Sequence, residues 1–192
     1  MTRSSSPAGA SPSPGSPAAF EVLDACHRQT IVMLERLSAL VDGLDKGGPD
    51  REARGVAEEI IRFFSQTARQ HHEDEERHVF PQLEDSDDPD IVQAVLRLKQ
   101  DHHWMDVDWR ELSPAIAAAA GGRGGYDLEA LREGVEIFLA LSHEHIALEE
   151  SCIYPQARVR FDSAALKQMG REMAERRRAR SARKANSGGT AS

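Results

Sequence analysis

The chain reads as all-α: an antiparallel up-down-up-down four-helix bundle with an additional C-terminal helix and a disordered N-terminal tail. Three features of its 192 residues point there. Ala, Leu, Glu and Arg dominate while β-branched runs are few, which favours helix over sheet. Apolar residues recur every three or four positions along four long stretches. Gly- and Pro-rich breaks separate those stretches, leaving connections short enough for neighbouring rods to run antiparallel.

Residues 1–18 (MTRSSSPAGASPSPGSPA) are too poor in apolar side chains to bury and are expected to be disordered. The first helix should run from about Pro17 to Leu44, capped by Ser16, with a stripe of Phe20, Leu23, His27, Ile31, Leu34, Leu37 and Val41. Gly47-Gly48-Pro49 ends it. Asp50 caps a second helix reaching about Val79, whose stripe Ile60, Phe64, Ala68 turns polar at His71, Glu75 and His78. Asp88-Pro89 opens a third, with Val95, Leu98, His102, Met105, Asp106, Trp109, Leu112 and Ile116, and Pro114 is expected to kink or end it. The fourth spans about Asp127 to Tyr154, with Leu131, Val135, Phe138, Ser142, His145, Glu149 and Cys152 on one face. A fifth, from about Ser163 to Lys184, begins amphipathic and becomes Arg-rich. The domain boundaries that follow are a tail at 1–18, the bundle at 19–160 and a C-terminal helix and tail at 161–192.

The formal net charge of −8 argues against wholesale nucleic-acid binding. From Arg171 onward, seven positive side chains stand against two negative ones, so an acidic body carries a basic tail. That tail is most simply a solvated helix end, and otherwise a docking segment for a protein or anionic partner. Two cysteines supply no disulfide framework, no apolar run is long enough to span a membrane, and the N-terminus lacks a hydrophobic signal core. These features predict a soluble, cytoplasmic protein.

The informative motif occurs twice. Residues 71–81 (HHEDEERHVFP) and 145–155 (HIALEESCIYP) both read His, three residues, Glu-Glu, two residues, aliphatic, aromatic, Pro. Positions i and i+4 share a helix face, so His71 with Glu75, and His145 with Glu149, each present an imidazole and a carboxylate together. The prolines should then end both helices. At ~1.5 Å per residue, these pairs, His27 and His102 fall in a layer roughly 6–20 Å from one end of the bundle, with Asp106 deepest. His103 is rotated off the stripe. No Lys or Arg occupies those faces, and a buried carboxylate without a partner costs several kcal/mol. Four imidazoles and three carboxylates suit iron, manganese or zinc rather than calcium or magnesium. Seven donors exceed one tetrahedral zinc and match two metals sharing carboxylates. The metal-ligand candidates are therefore His27, His71, Glu75, His102, Asp106, His145 and Glu149, with Asp106 equally able to support an imidazole from behind. His72, Glu76, Glu150 and His143 read as solvated or supporting groups, His78 as able to hydrogen-bond inside, and Cys26 and Cys152 as small buried thiols.

Taken as a set over roughly residues 20–155, His27, the two His-x3-Glu-Glu-x3-aromatic-Pro segments and the intervening His102-x3-Asp106 resemble the hemerythrin-like HHE cation-binding domain. The resemblance implies an oxo- or hydroxo-bridged non-heme di-iron centre, with iron ahead of manganese or zinc. Glu75 and Glu149 would bridge the two irons, and His27, His71, His102 and His145 would be terminal ligands. Oxygen-carrying hemerythrins have His-x3-His on helix three and His-x4-Asp on helix four. Asp106 and Glu149 depart from both, and the added anionic ligand favours the ferric state over one that releases oxygen. The pattern is closer to shorter bacterial hemerythrin-like proteins, implying that dioxygen, nitric oxide or peroxide is bound in sensing or iron handling. The alternatives are an enzyme turning over peroxide or nitric oxide or oxidising ferrous iron, and a metal-free helical interaction module. No catalytic serine, cysteine-triad or phosphate-loop signature is present.

Overall fold

The computed structural model of the protein describes residues 19–47 and 51–187. The expected disordered tail, the Ser16 cap with Pro17, and the Gly48-Pro49-Asp50 break and cap lie outside the described residues. Helix α1 is Ala19–Gly47, α2 is Arg51–Arg62 and α3 is Arg69–His78, with a π-helical segment, Phe63–Ala68, joining the last two into one rod. After a 3-10 turn at Phe80–Gln82 come α4 (Pro89–Ala120) and α5 (Leu128–Leu148). A second π-helical segment (Glu149–Ile153) leads into α6 (Tyr154–Arg158), and α7 is Ser163–Ser187. No strand occurs among the described residues. Each long rod packs on its neighbours in a closed ring, α1 on α2, α2 on α4, α4 on α5 and α5 on α1.

Local chemistry sets the helix starts. Asp88 accepts from the Asp90 amide at 3.0 Å, and Asp127 from those of Glu129 and Ala130 at 3.0 and 3.2 Å. Asp162 does the same for Ala164 and Ala165 at 2.9 and 2.7 Å, starting α7. Each carboxylate satisfies amides that the first turn leaves unpaired.

Three expectations are corrected. Helix α4 does not end at Pro114 but continues to Ala120. Ile116, Ala119 and Ala120 are buried in the core, so the missing amide is outweighed by packing and by the helix-favouring alanines. Pro155 does not end its rod either, because it follows the π-helical segment and sits in the first turn of α6, where its lack of an N–H costs little. On α1, Met33 is buried while Ile31 is half-exposed.

The apolar side chains form two clusters. One contains Leu34, Leu37, Ile60, Phe64, Met105, Trp109, Val135 and Phe138. The other contains Phe20, Leu23, Phe80, Val95, Leu98, Ile153 and Tyr154. His27, His71, Glu75, His102, His145 and Glu149 are buried where the chain passes from one cluster to the other. Each rod therefore crosses a polar layer once.

Helix α7 is fastened against the chain. Met169 and Met173 are buried in the second cluster. Arg176 and Arg177 grip the two oxygens of Asp74 at 2.5 and 2.9 Å, and Arg180 pairs with Glu73. Asp74 is fully buried, whereas the two arginines are partly exposed. Removing one partner of a buried pair strands the other's charge. Asp74→Ala should therefore lower the unfolding free energy by about 2–3 kcal/mol, below the figure for a fully buried pair because solvent screens the arginines. The check is the urea midpoint of metal-free protein; an unchanged midpoint would show that α7 is not held by this residue.

Candidate metal centre

The site is built from the repeated motif. On α3, His71 and Glu75 lie one turn apart, and His71 Nε2 is 3.3 Å from Glu75 Oε1. At the α5 end, His145 Nε2 is 3.2 Å from Glu149 Oε1. Helix α1 contributes His27, whose Nε2 is 3.1 Å from Glu149 Oε2 and 3.9 Å from Glu75 Oε1. Helix α4 contributes His102, whose Nε2 is 3.5 Å from Glu75 Oε2 and 3.2 Å from His145 Nε2. Two four-donor groups result, each mutually within 4.8 Å, beside a third made of His72, His102 and His145. His27, His71, Glu75 and Glu149 form one, and Glu75, His102, His145 and Glu149 the other. Both carboxylates belong to both four-donor groups.

Asp106 is not brought to this cluster. It pairs with Arg110 one turn along α4, on the half-exposed side. Its side chain is also a methylene shorter than a glutamate's. His103 is exposed, while His102 is buried.

The second glutamate of each Glu-Glu pair supports a histidine on another helix. Glu76 Oε1 lies 2.8 Å from His102 Nδ1, and Glu150 Oε1 lies 3.1 Å from His27 Nδ1. A carboxylate on Nδ1 fixes the tautomer that leaves Nε2 free to ligate. The motif aromatics complete the repeat, Phe80 stacking on His102 at 5.5 Å and Tyr154 on His27 at 5.2 Å. Only the second copy carries a hydroxyl, and Tyr154 donates it to Glu75 Oε1 at 2.5 Å.

The sequence pattern missed Tyr154 because a regular helix turns position 154 away from the Glu149 face. In the π-helical segment the Tyr154 amide bonds the Glu149 carbonyl, five residues back, which aligns the two. Cys152, expected on the His145 face, packs instead beside the second apolar cluster. The supporting roles of Glu76 and Glu150 were open in the sequence, and the doubling of the Glu-Glu pair was the available signal.

The electrostatics are those of a crowded, buried site. Burial opposes the charge on Glu149, yet His145 and His27 outweigh it and hold its carboxyl well below the usual range. Glu75 is pushed up by burial and by the Glu149 charge. Burial also works against protonation of His27, His102 and His145, but the surrounding glutamates raise all three, His145 to about 10. His71 is lowered, by burial and by His27. Cys26, beside His27, is pushed up to about 12 by burial and by Glu75.

Whether a cation fits can be judged from unfinished hydrogen bonding. Glu75 Oε2, both oxygens of Glu149 and Nε2 of His71 are buried without an aligned hydrogen-bond partner. Such atoms are costly unless an ion takes their lone pairs. Imidazole with carboxylate suits iron, manganese or zinc. The donor set fits.

Beside the donors lies a cavity of about 500 Å³ whose wall includes His71, His72, His102 and His145, with Phe64, Trp109 and Phe138 and the charged Arg69, Lys99 and Asp106.

Comparisons with known proteins agree. The family model described as the hemerythrin HHE cation binding domain matches residues 18–157. An uncharacterized protein of Haemophilus influenzae is 30% identical over 158 residues, covering 82% of this chain and 89% of that one.

Because the metal-free site holds protons on histidines raised above their ordinary value, a cation must expel them. Zinc added to metal-free protein at pH 7 in weak buffer should release roughly one or more protons per ion, and its affinity should rise with pH, about tenfold per unit for each proton displaced. A dye-monitored titration reads this; an affinity independent of pH would contradict the site.

Proposed function

The chain belongs to the hemerythrin HHE cation-binding family, and on that premise we propose that it holds two iron ions side by side within an up-down-up-down four-helix bundle. It binds dioxygen, nitric oxide or peroxide there, in sensing or in iron handling. One observation carries the reading: Glu75 and Glu149 are each shared by both four-donor groups. His27 and His71 serve one position and His102 and His145 the other, while the two glutamates span both. Glu76 and Glu150 hold His102 and His27 in register. The Tyr154 hydroxyl keeps Glu75 aimed inward. Iron, when bound, supplies the redox change and the open coordination position for a small ligand. The chain excludes bulk water with its two apolar clusters and neutralises the ions with buried carboxylates. No helix among the described residues is long and apolar enough to cross a membrane, and both cysteines are free, which is consistent with a reducing cytoplasm.

A second reading, turnover of peroxide or nitric oxide or oxidation of ferrous iron at the same centre, is favoured by the cavity, which is larger than a diatomic requires. Steady-state turnover abolished in His71→Ala and His145→Ala would select it.

Iron-loaded, oxidised protein should contain two irons per chain by elemental analysis and show near-ultraviolet charge-transfer bands. Glu75→Ala or Glu149→Ala should lose both irons together, since each carboxylate serves both positions. Metal-free protein after loading, or a single iron with no such bands, would remove the reading.

A further inference from the structure

We propose that His72 is the residue that hydrogen-bonds the small ligand reaching the metal centre, and that the cavity in front of it is the chamber that ligand occupies. The proposal rests on the di-iron reading above. The site is otherwise a repeat, in which His71, Glu75, Glu76 and Phe80 answer to His145, Glu149, Glu150 and Tyr154. His72 breaks it, because the matching position is Ile146, a buried apolar side chain.

His72 is half-buried on the cavity wall, and one of its ring nitrogens lies within 4.8 Å of donor atoms on His102 and His145. Its ring stacks on His102 at 4.0 Å with 12° between planes. His72, His102 and His145 also place donor atoms within 4.8 Å of one another, but His72 is in neither group that shares the two glutamates; with His102 serving that shared position, His72 is left beside it on the wall of the cavity that a small ligand would enter.

Several other polar groups of the wall are already engaged. Thr30 donates to the Cys26 carbonyl at 2.9 Å, Ser142 to that of Phe138 at 2.7 Å, and Trp109 Nε1 to Ser65 at 3.0 Å. Among the described residues, His72 is held by ring contacts with His102, His145 and His71, with no hydrogen bond to either nitrogen. A neutral imidazole always offers one N–H donor. That donor favours ligands with an accepting atom, such as peroxide or azide, over purely apolar ones.

The test is azide binding to the iron-loaded full chain, read from the ligand-to-metal absorption band. His72→Leu should leave the iron content at the wild-type level and weaken azide by roughly three- to tenfold, the worth of one hydrogen bond. His72→Gln, which restores a donor, should recover most of that loss. Unchanged azide affinity in His72→Leu would overturn the proposal, as would wild-type protein that holds iron but takes up no azide. Loss of iron from a folded His72→Leu protein would also overturn it, by making His72 a metal ligand. Failure of the wild-type chain to hold iron removes the underlying reading first, and is distinguished by elemental analysis before azide is added.

Discussion

Two fully buried carboxylates set the terms for this molecule. Glu75 and Glu149 are each 0% exposed and lie in one layer, and the groups within ion-pair reach of them among the described residues are histidines. A buried anion without a cation costs several kcal/mol. Without metal, the cluster relieves this by sharing protons, which lifts Glu75 and three histidines above their ordinary values while Glu149 stays ionised. Metal ions would do so more completely and would complete the buried oxygens and nitrogens that hydrogen bonds leave open. The fold reads as a frame for that exchange. Apolar clusters lie on either side of the layer, and each rod crosses it once with a donor facing inward.

The repeated motif shows how a short sequence builds half a centre. Its His and first Glu, four residues apart, supply donors. Its second Glu reaches an imidazole on another helix, and its aromatic stacks on that same imidazole. Used twice, the motif orients four histidines and two carboxylates. The copies then diverge where chemistry can be tuned, at His72 against Ile146 and at Phe80 against Tyr154.

Much of this was legible in the residues. The apolar stripes of α4 and α5 match the buried positions, the Asp88 and Asp127 caps mark helix starts, and His102 lies inside where His103 does not. What escaped had definite causes. A period of 3.6 cannot anticipate a π-helical segment, so Tyr154 was turned away and Cys152 turned in. Proline's cost depends on whether its missing amide is needed, so Pro155 was over-read as a stop, and Pro114, expected to kink or end α4, does not end it. Asp106 sits at the expected spacing and lines the cavity, but it pairs with Arg110 and is in none of the donor groups. The role of α7 was invisible because Asp74 and its arginines are about a hundred residues apart.

Two cations sharing Glu75 and Glu149 would satisfy this layer. Anomalous scattering at the iron edge, from crystals of iron-loaded protein, tests this most directly. Two peaks should appear roughly 3.5–4 Å apart, the spacing usual for paired metals. One should lie among His27, His71 and the two glutamates, and the other among His102, His145 and the same glutamates. A single peak, or none between those carboxylates, would contradict it.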